Sequence, residues 1–222
     1  MAVKRRSKAR PPLSRDRVLR AALELADREG LDGLTMRKLG DALGVEAMSL
    51  YNYFARKDEL LAELINIVFS EIEVPERGSW RAALRRRAIS ALAALSRHRW
   101  AVGLMESSTR PGAANLGHHE AVLKRLREAG FSVAMTAHAY SALDSYTYGF
   151  AQQLVGLPFD TGEQAGEVAE RILTRNVATN YPYLAEIATQ HIMKPGYSYN
   201  KEFEFGLDLI LDGLTRALEK RR

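Results

Sequence analysis

The stretch from Thr35 to Lys57 constrains the fold of this chain more than any other, because it predicts two short helices joined by a tight turn. Leu39 and Leu43 recur at helical spacing after Thr35, a residue type that often caps a helix N-terminus. Gly44 supplies the left-handed conformation at which such a helix ends. The first helix is therefore expected to stop at Gly44.

A second helix is expected from about Glu46 to Phe54, with Val45, Leu50 and Phe54 facing a core. Its open side carries short polar and small apolar groups rather than the Lys/Glu mixture of a solvated face. These open positions are Ala47, Met48, Ser49, Asn52 and Tyr53. Such groups reach base edges and phosphates, so the pattern predicts a helix-turn-helix whose second helix enters the major groove of DNA.

An ordinary helical hairpin is the alternative interpretation of this stretch. Gly40 argues against it, because a glycine inside a helix costs about 1 kcal/mol relative to alanine. That cost is expected where another backbone packs closely against the helix. The short polar groups on the open face also favour DNA binding.

The same stretch resembles the DNA-binding domain of the tetracycline-repressor (TetR) family of transcription regulators. The resemblance rests on GLTMRKLGDALGVEAMSLYNYFARKDELL, preceded at the expected distance by RVLRAALELADREG. The rest of the chain, most visibly STRPG, AGFS, YGFA and FEFGLDLILDGL, is similar to the helical ligand-binding and dimerisation half of the tetracycline repressor's own branch. The resemblance implies an all-α, homodimeric repressor that binds a palindromic operator and is released by a small-molecule inducer.

The resemblance also implies site residues, position by position. Family members touch bases from positions that are here Arg37, Ala47, Met48, Ser49 and Asn52. They touch phosphates from positions that are here Thr35, Tyr51, Tyr53 and Lys57. Lys57 lies near a helix N-terminus, which itself favours a phosphate. Ala47 and Met48 can make only apolar base contacts, for example with a thymine methyl group.

A ligand cavity is implied among the helices at 80–155, lined by apolar groups with a few polar anchors. In the tetracycline repressor a magnesium-bound drug is held partly by a histidine just before a Thr-Arg-Pro turn. This chain keeps the turn but has Glu106 at the histidine position, which argues against tetracycline and leaves a carboxylate that could hold a divalent metal. No required cofactor is implied. The candidate ligand residues are Trp100, Met105, Glu106, Thr109, His118, Tyr140 and Tyr146.

The charge of the chain is divided unevenly. Residues 1–57 hold 13 Lys/Arg against 7 Asp/Glu, and the remainder holds 19 against 20. A basic N-terminal region beside a neutral body is typical of a chain that docks one end on a polyanion. The basic arm at 1–13 is expected to be disordered when free.

Composition agrees with a protein that works in solution. Hydrophobic residues make up 46% of the 222 residues, and cysteine is absent, which excludes disulfides and thiolate metal sites. No apolar run approaches the ~20 residues needed to span a bilayer. The basic start lacks the apolar segment of a secretory signal. We therefore expect a cytoplasmic protein without a membrane partner.

The helical pattern predicts three parts after the arm: a helix-turn-helix domain at 14–57, a connecting helix at 58–74 and a ligand-binding and dimerisation domain at 75–222. Ser14 would cap the first helix, Gly30 would end it, and Asp58 would cap the connecting helix. Arg85, Arg86 and Arg87 are expected to form a solvated or partner-facing edge. Helices of the last domain are expected at about 80–99, 101–107, 119–129, 132–155, 163–178, 183–192 and 201–220.

A dimer is expected because two heads would contact half-sites about 34–36 Å apart, or a multiple of that distance. The predicted interface is a four-helix bundle from the 132–155 and 201–220 helices of each subunit. Its apolar seam would consist of Leu207, Ile210 and Leu214. Its small residues, which let the helices approach, would be Ala137, Ser141, Gly206 and Gly213. The alternative is that these stripes face the subunit's own core.

A small helical enzyme, an adaptor and a ligand-independent DNA-binding protein are the alternative functions. His118 and His119 point about 100° apart on a helix, so they cannot easily serve one tetrahedral metal. No H-E-x-x-H motif, nucleophile elbow or glycine-rich phosphate loop occurs. His138 with Asp144, or Glu106 with His118, could form an acid/base pair, but any helical domain of this size offers such pairings. Catalysis is therefore disfavoured.

Overall fold

The protein is built from helices, with no strand, across the residues that the computed structural model describes, which are 12–105 and 111–220. The predicted all-α fold class is confirmed. Residues 1–11 of the basic arm, and Glu106 and Thr109 among the predicted ligand residues, lie outside the described residues. Within the described ranges, no helix is both long enough and apolar enough to cross a bilayer.

The N-terminal head contains three helices, and a fourth leads from it to the body. Their bounds are Arg15–Gly33 (α1), Met36–Leu43 (α2), Ala47–Leu50 (α3) and Lys57–Ser70 (α4). The Ser14 hydroxyl accepts a hydrogen bond from the Arg17 N–H, which caps α1 as predicted. Gly30 has a φ of 70° and interrupts α1 at the predicted end, and one further turn then reaches Gly33.

The turn between α2 and α3 has the predicted geometry. The Thr35 hydroxyl accepts a hydrogen bond from the Lys38 N–H at 3.2 Å, and Gly44 ends α2 with a φ of 68°. A Cβ at Gly40 would lie 2.8 Å from the carbonyl oxygen of Val45, so the predicted close approach of another backbone is confirmed. A side chain at position 40 would push α2 and α3 apart.

Both α3 and α4 differ from their predicted bounds. α3 makes a single turn, after which the Tyr53 N–H bonds to the Leu50 carbonyl at 2.9 Å in the tighter i to i−3 pattern. α4 begins at Lys57 without a side-chain cap, so the prediction that Asp58 caps it is wrong. Asp58 lies instead in the first turn, where a carboxylate complements the helix dipole. α4 ends at Ser70, well short of 74.

The body follows after a loop. Its α-helices are Trp80–Arg97 (α5), Ala113–Glu128 (α6), Val133–Gly156 (α7), Gly162–Ile172 (α8), Arg175–Asn180 (α9), Pro182–Ile187 (α10) and Tyr199–Glu219 (α11). A 3-10 turn at Arg99–Leu104 and a π turn at Ala188–Ile192 join some of them. The predicted 163–178 helix is two helices, because Thr174 leaves the helical conformation and caps α9.

A single apolar cluster runs through head and body. It extends from Val18 in α1 through Leu64 in α4 to Leu211 in α11, and each of these side chains is 0% exposed. In the body, α5 packs against α7, and α6 and α11 pack on this pair. α4 packs against α6. Because close-packed interiors transmit strain, a change of packing in the body can reach the head through α4.

Candidate DNA-binding surface and ligand anchor

The α3 helix exposes one face and buries the other. Leu50 and Phe54 are 0% exposed and hold the segment against the head core, whereas Met48 is 74% exposed. All the predicted base-contacting residues have exposed or half-buried side chains. They are Arg37, Ala47, Met48, Ser49 and Asn52. The structure thus leaves this face of α2 and α3 open to a large partner.

Two of the predicted phosphate-contacting residues also brace the head. The Tyr53 hydroxyl donates a hydrogen bond to the Leu13 carbonyl at 2.9 Å, and the Lys57 ammonium donates to the Leu31 carbonyl at 3.3 Å. Lys57 is the first residue of α4, and its ammonium keeps further N–H groups for an anion at that helix terminus. The other two, Thr35 and Tyr51, are exposed.

Arg15 has a structural role in the head that the sequence did not predict. Its guanidinium lies 4.3 Å from the centre of the Phe54 ring, donates to the Tyr53 carbonyl at 2.8 Å and pairs with Glu63 at 3.0 Å. These partners come from the segment that follows α3 and from α4. Arg15 therefore ties α1 to both, and only the tertiary fold brings them together.

A buried cation lies at the centre of the body. Arg87 of α5 is 1% exposed and forms an ion pair with Asp144 of α7, while its Nε donates to Nε2 of His118 of α6 at 3.1 Å. The prediction that Arg87 belongs to a solvated or partner-facing edge is therefore wrong, although Arg86 is exposed. One residue along a helix turns the side chain by about 100°, which directs Arg87 inward.

Two polar atoms of this cluster, Nδ1 of His118 and Oδ2 of Asp144, have no hydrogen-bond partner among the described residues. Because Nε2 of His118 accepts from Arg87, the ring proton belongs on Nδ1, which is then an unsatisfied donor. Burial, with the charges of Arg87 and His119, lowers the pKa of His118 to about 3, so the ring is neutral near pH 7. The cluster thus offers a ligand one donor and one acceptor.

Three other predicted ligand residues make different contacts. Met105 is 2% exposed and packs in the core. The Tyr140 hydroxyl contacts Nδ1 of His119. The Tyr146 hydroxyl donates to the Phe203 carbonyl at 3.0 Å, and its ring stacks on that of Phe203, so Tyr146 joins α7 to α11.

Trp100 lies at the junction of head and body. Its indole N–H donates to Oδ1 of Asp27 in α1 at 2.7 Å, which explains its burial without a ligand. A pocket of about 530 Å³ opens elsewhere, between the C-terminal ends of α5 and α7 and the start of α11, and is lined by Leu95, Leu154 and Tyr199 among others. None of the five predicted ligand residues that the structure describes lines this pocket.

The α4 helix is joined directly to the helix that carries His118. The side-chain oxygen of Asn66 accepts hydrogen bonds from the N–H groups of Ala114 at 2.9 Å and Asn115 at 3.2 Å, so it caps α6 from another helix. The Phe69 ring lies 5.3 Å from the His118 ring. These contacts link the buried polar cluster to the element that leads to the head.

The predicted dimer seam is wrong at Leu207, which is 0% exposed within the subunit's own core. Gly206 is half-buried, and a Cβ added there would meet the Tyr146 side chain of the same chain. The apolar side chains that α11 turns outward are Phe205, 67% exposed, and Leu209, 55% exposed. The remaining predicted positions are exposed or half-buried; they are Ala137, Ser141, Ile210, Gly213 and Leu214.

The sequence also suggested an acid/base pair and a metal site in the body. Asp144 is engaged by Arg87, and His138 lies on the exposed side of α7, so the suggested His138 and Asp144 pair does not form. In the described part of the chain, no group of three or more His, Asp and Glu side chains is arranged to hold a metal ion. Glu106, the suggested metal ligand, lies outside it.

Two family models match this chain. The model for bacterial regulatory proteins of the tetR family matches residues 18–64, and the model for the tetracyclin repressor-like C-terminal domain matches residues 74–218. The chain belongs to the TetR family. The first TetR-family match covers α2 and α3, and the second covers most of the body, including the buried Arg87 cluster.

Individual relatives agree with this assignment. The chain is 34% identical to the class A tetracycline repressor from transposon 1721 of Escherichia coli, over 90% of this chain and 89% of the relative. It is 33% identical to the transcriptional repressor DrrR1 of Streptomyces coeruleorubidus, over 96% of this chain and 81% of the relative. The fold is similar to apo ActR from Streptomyces coelicolor, with a TM-score of 0.75, 27% identity and coverage of 96% and 100% of the two chains.

Function follows from the family. TetR-family proteins are dimeric transcriptional regulators that bind operator DNA, and the structurally similar ActR has been solved in complex with actinorhodin and with (S)-DNPA. This TetR-family chain is a ligand-responsive, DNA-binding transcriptional repressor.

Proposed function

We propose that α3 enters the major groove of the operator and that the open face of α2 and α3 determines its sequence. The observation that carries this proposal is the exposure of Met48 on a helix whose opposite side, Leu50, is completely buried. Base contacts would come from Arg37, Ala47, Met48, Ser49 and Asn52. Phosphate contacts would come from Thr35, Tyr51, Tyr53 and Lys57, which position the head without selecting sequence.

Selection of binding sites from random duplex DNA tests this assignment. The wild-type protein should enrich a palindrome whose half-site centres lie about one helical turn, or a multiple, apart. Asn52→Ala should change the base preference at one position per half-site, a loss of about 1–3 kcal/mol for the wild-type base. Lys57→Ala should weaken all sequences alike and flatten the salt dependence. A Lys57→Ala variant with altered base preference and an unchanged salt slope would contradict these roles.

The inducer, in this proposal, binds beside Arg87, His118 and Asp144. The unsatisfied Nδ1–H of His118 and Oδ2 of Asp144 support this, because a buried polar atom without a partner costs about 1–3 kcal/mol. A small molecule with adjacent carbonyl and hydroxyl groups would accept from the first and donate to the second. ActR with actinorhodin, and a tetracycline repressor variant from Acinetobacter baumannii with minocycline, provide precedents at 28% and 26% identity.

Induction would pass from the body through the connecting segment at 58–74 to a head at 14–57. A ligand that shifts α6 would move α4, because Phe69 packs on His118 and Asn66 caps α6. The two heads of the dimer would then no longer match the groove spacing. By linkage, inducer and operator must weaken each other by the same factor, typically ~1–3 kcal/mol.

Titration of the protein with minocycline and with actinorhodin, in the presence and absence of the selected operator, tests the coupling. A compound that acts as inducer should bind less tightly when operator is present. Asp144→Asn keeps an oxygen for Arg87 but turns the other acceptor into a donor, so it should weaken such a compound by roughly tenfold or more. Equal affinity of a bound inducer with and without operator would contradict the mechanism.

A further inference from the structure

His98 lies where the head, the connecting helix and the body meet, and it is 5% exposed. Its Nδ1 is 2.7 Å from Oδ1 of Asp27 in α1, and its Nε2 is 3.2 Å from both carboxylate oxygens of Glu71, which follows α4. Trp100 donates its indole N–H to the same oxygen of Asp27 at 2.7 Å. Since His98 and Trp100 belong to the body, this cluster joins three parts of the protein.

The hydrogen bonds of this cluster are charge-assisted. An ionised carboxylate only accepts hydrogen bonds, so a ring nitrogen of His98 that bonds one of these carboxylates is the donor. Burial raises the pKa of Glu71, but the hydrogen bonds from Arg97 and His98 outweigh burial and hold that pKa below its usual value. Charge-assisted hydrogen bonds are shorter and about twice as strong as neutral ones, so these bonds fix the positions of Asp27 and Glu71 relative to the His98 ring.

The body holds the His98 ring in place through its backbone. The N–H of His98 donates to the Ala94 carbonyl at 2.9 Å, and its own carbonyl accepts from the Ala101 N–H at 2.8 Å. The ring centre lies 6.3 Å from that of Trp100. Asp27 and Glu71 are therefore held at set positions relative to the end of α5.

We propose that His98 is a positioning residue that sets the angle between head and body, and with it the separation of the two heads in the dimer. This inference rests on the proposed DNA-binding function. Each base pair added between half-sites rotates one of them by about 35° and moves it by about 3.4 Å, so heads held at one angle accept one spacing. If His98 no longer bonded Asp27 and Glu71, the heads would accept several spacings.

Site selection from random duplex DNA, carried out with the full-length protein, distinguishes positioning from simple stabilisation. Wild type should enrich one half-site at one spacing. His98→Phe should enrich the same half-site, while the preference for that spacing over one base pair more or less falls roughly fivefold or more. His191→Phe is the matched control, because it removes an exposed histidine that bonds Glu202 on the surface of the body at 2.7 Å.

If His98 only stabilised the fold, His98→Phe would lower the melting temperature without changing the spacing preference. Asp27→Asn weakens the contacts of Asp27 with His98 and Trp100, and Trp100→Phe removes the second of these contacts, so both variants provide the same test if His98→Phe does not fold. An unchanged spacing preference in the folded variants overturns the proposal. The absence of any palindrome in the wild-type selection overturns the proposed DNA-binding function instead.

Discussion

At the scale of single residues, Arg87 shows how strongly a buried charge depends on its partner. Arg87→Met would remove the cation that pairs with the buried Asp144, which should lower the free energy of unfolding by about 3–5 kcal/mol. Urea denaturation at fixed protein concentration measures this loss. Arg86→Met is the control, because Arg86 pairs with Glu73 on the surface at 2.8 Å and should cost less than about 1 kcal/mol.

The double variant Arg87→Met, Asp144→Leu removes both charges and should recover much of the lost stability, because no unpaired charge remains. If Arg87→Met were no more destabilising than Arg86→Met, the ion pair would not hold the body together.

His118 should give the stability of the protein a distinct pH dependence. Its pKa is lowered to about 3 in the folded state by burial and by the charge of Arg87, and it is 6.5 when exposed. Between these values the unfolded chain binds more protons, so stability should fall as pH drops below about 6.5, by at most about 1.4 kcal/mol per pH unit from this group. Denaturation of wild type and His118→Gln between pH 6.5 and 5 should show a shallower slope for the variant. Parallel slopes would contradict a neutral, buried His118.

At the scale of helices, one side chain of α4 caps the start of α6. Asn66→Ala removes the acceptor for the Ala114 and Asn115 N–H groups and should cost about 1 kcal/mol, as for a lost helix cap. Asn66→Asp keeps an acceptor and adds a charge that favours a helix N-terminus, so it should retain stability. Melting temperatures compare the variants. Loss of stability in Asn66→Asp equal to that in Asn66→Ala would show that capping is not the role of Asn66.

At the scale of the whole molecule, the outward face of α11 is the expected partner surface. The double variant Phe205→Glu, Leu209→Glu should produce folded monomers, because both side chains are exposed in the single subunit. An apolar side chain contributes about 2 kcal/mol when it is buried, and each one occurs twice in a two-fold interface. Sedimentation and operator binding measure the result. Leu116→Glu with Ile172→Glu is the control, since these residues are also apolar and exposed but lie on α6 and α8, outside the predicted interface. A double variant at 205 and 209 that remains dimeric would place the interface elsewhere.

The sequence by itself determined the turn between α2 and α3, because the interactions that form it are local. The Thr35 cap, the left-handed Gly44 and the close approach at Gly40 involve residues within about ten positions of one another, so their spacing along the chain is enough to predict them. Only the tertiary structure decided which charges and apolar stripes of the body are buried. Arg87 and Leu207 look like their exposed neighbours in the sequence, and their burial depends on α7 and the rest of the core, which approach from far along the chain.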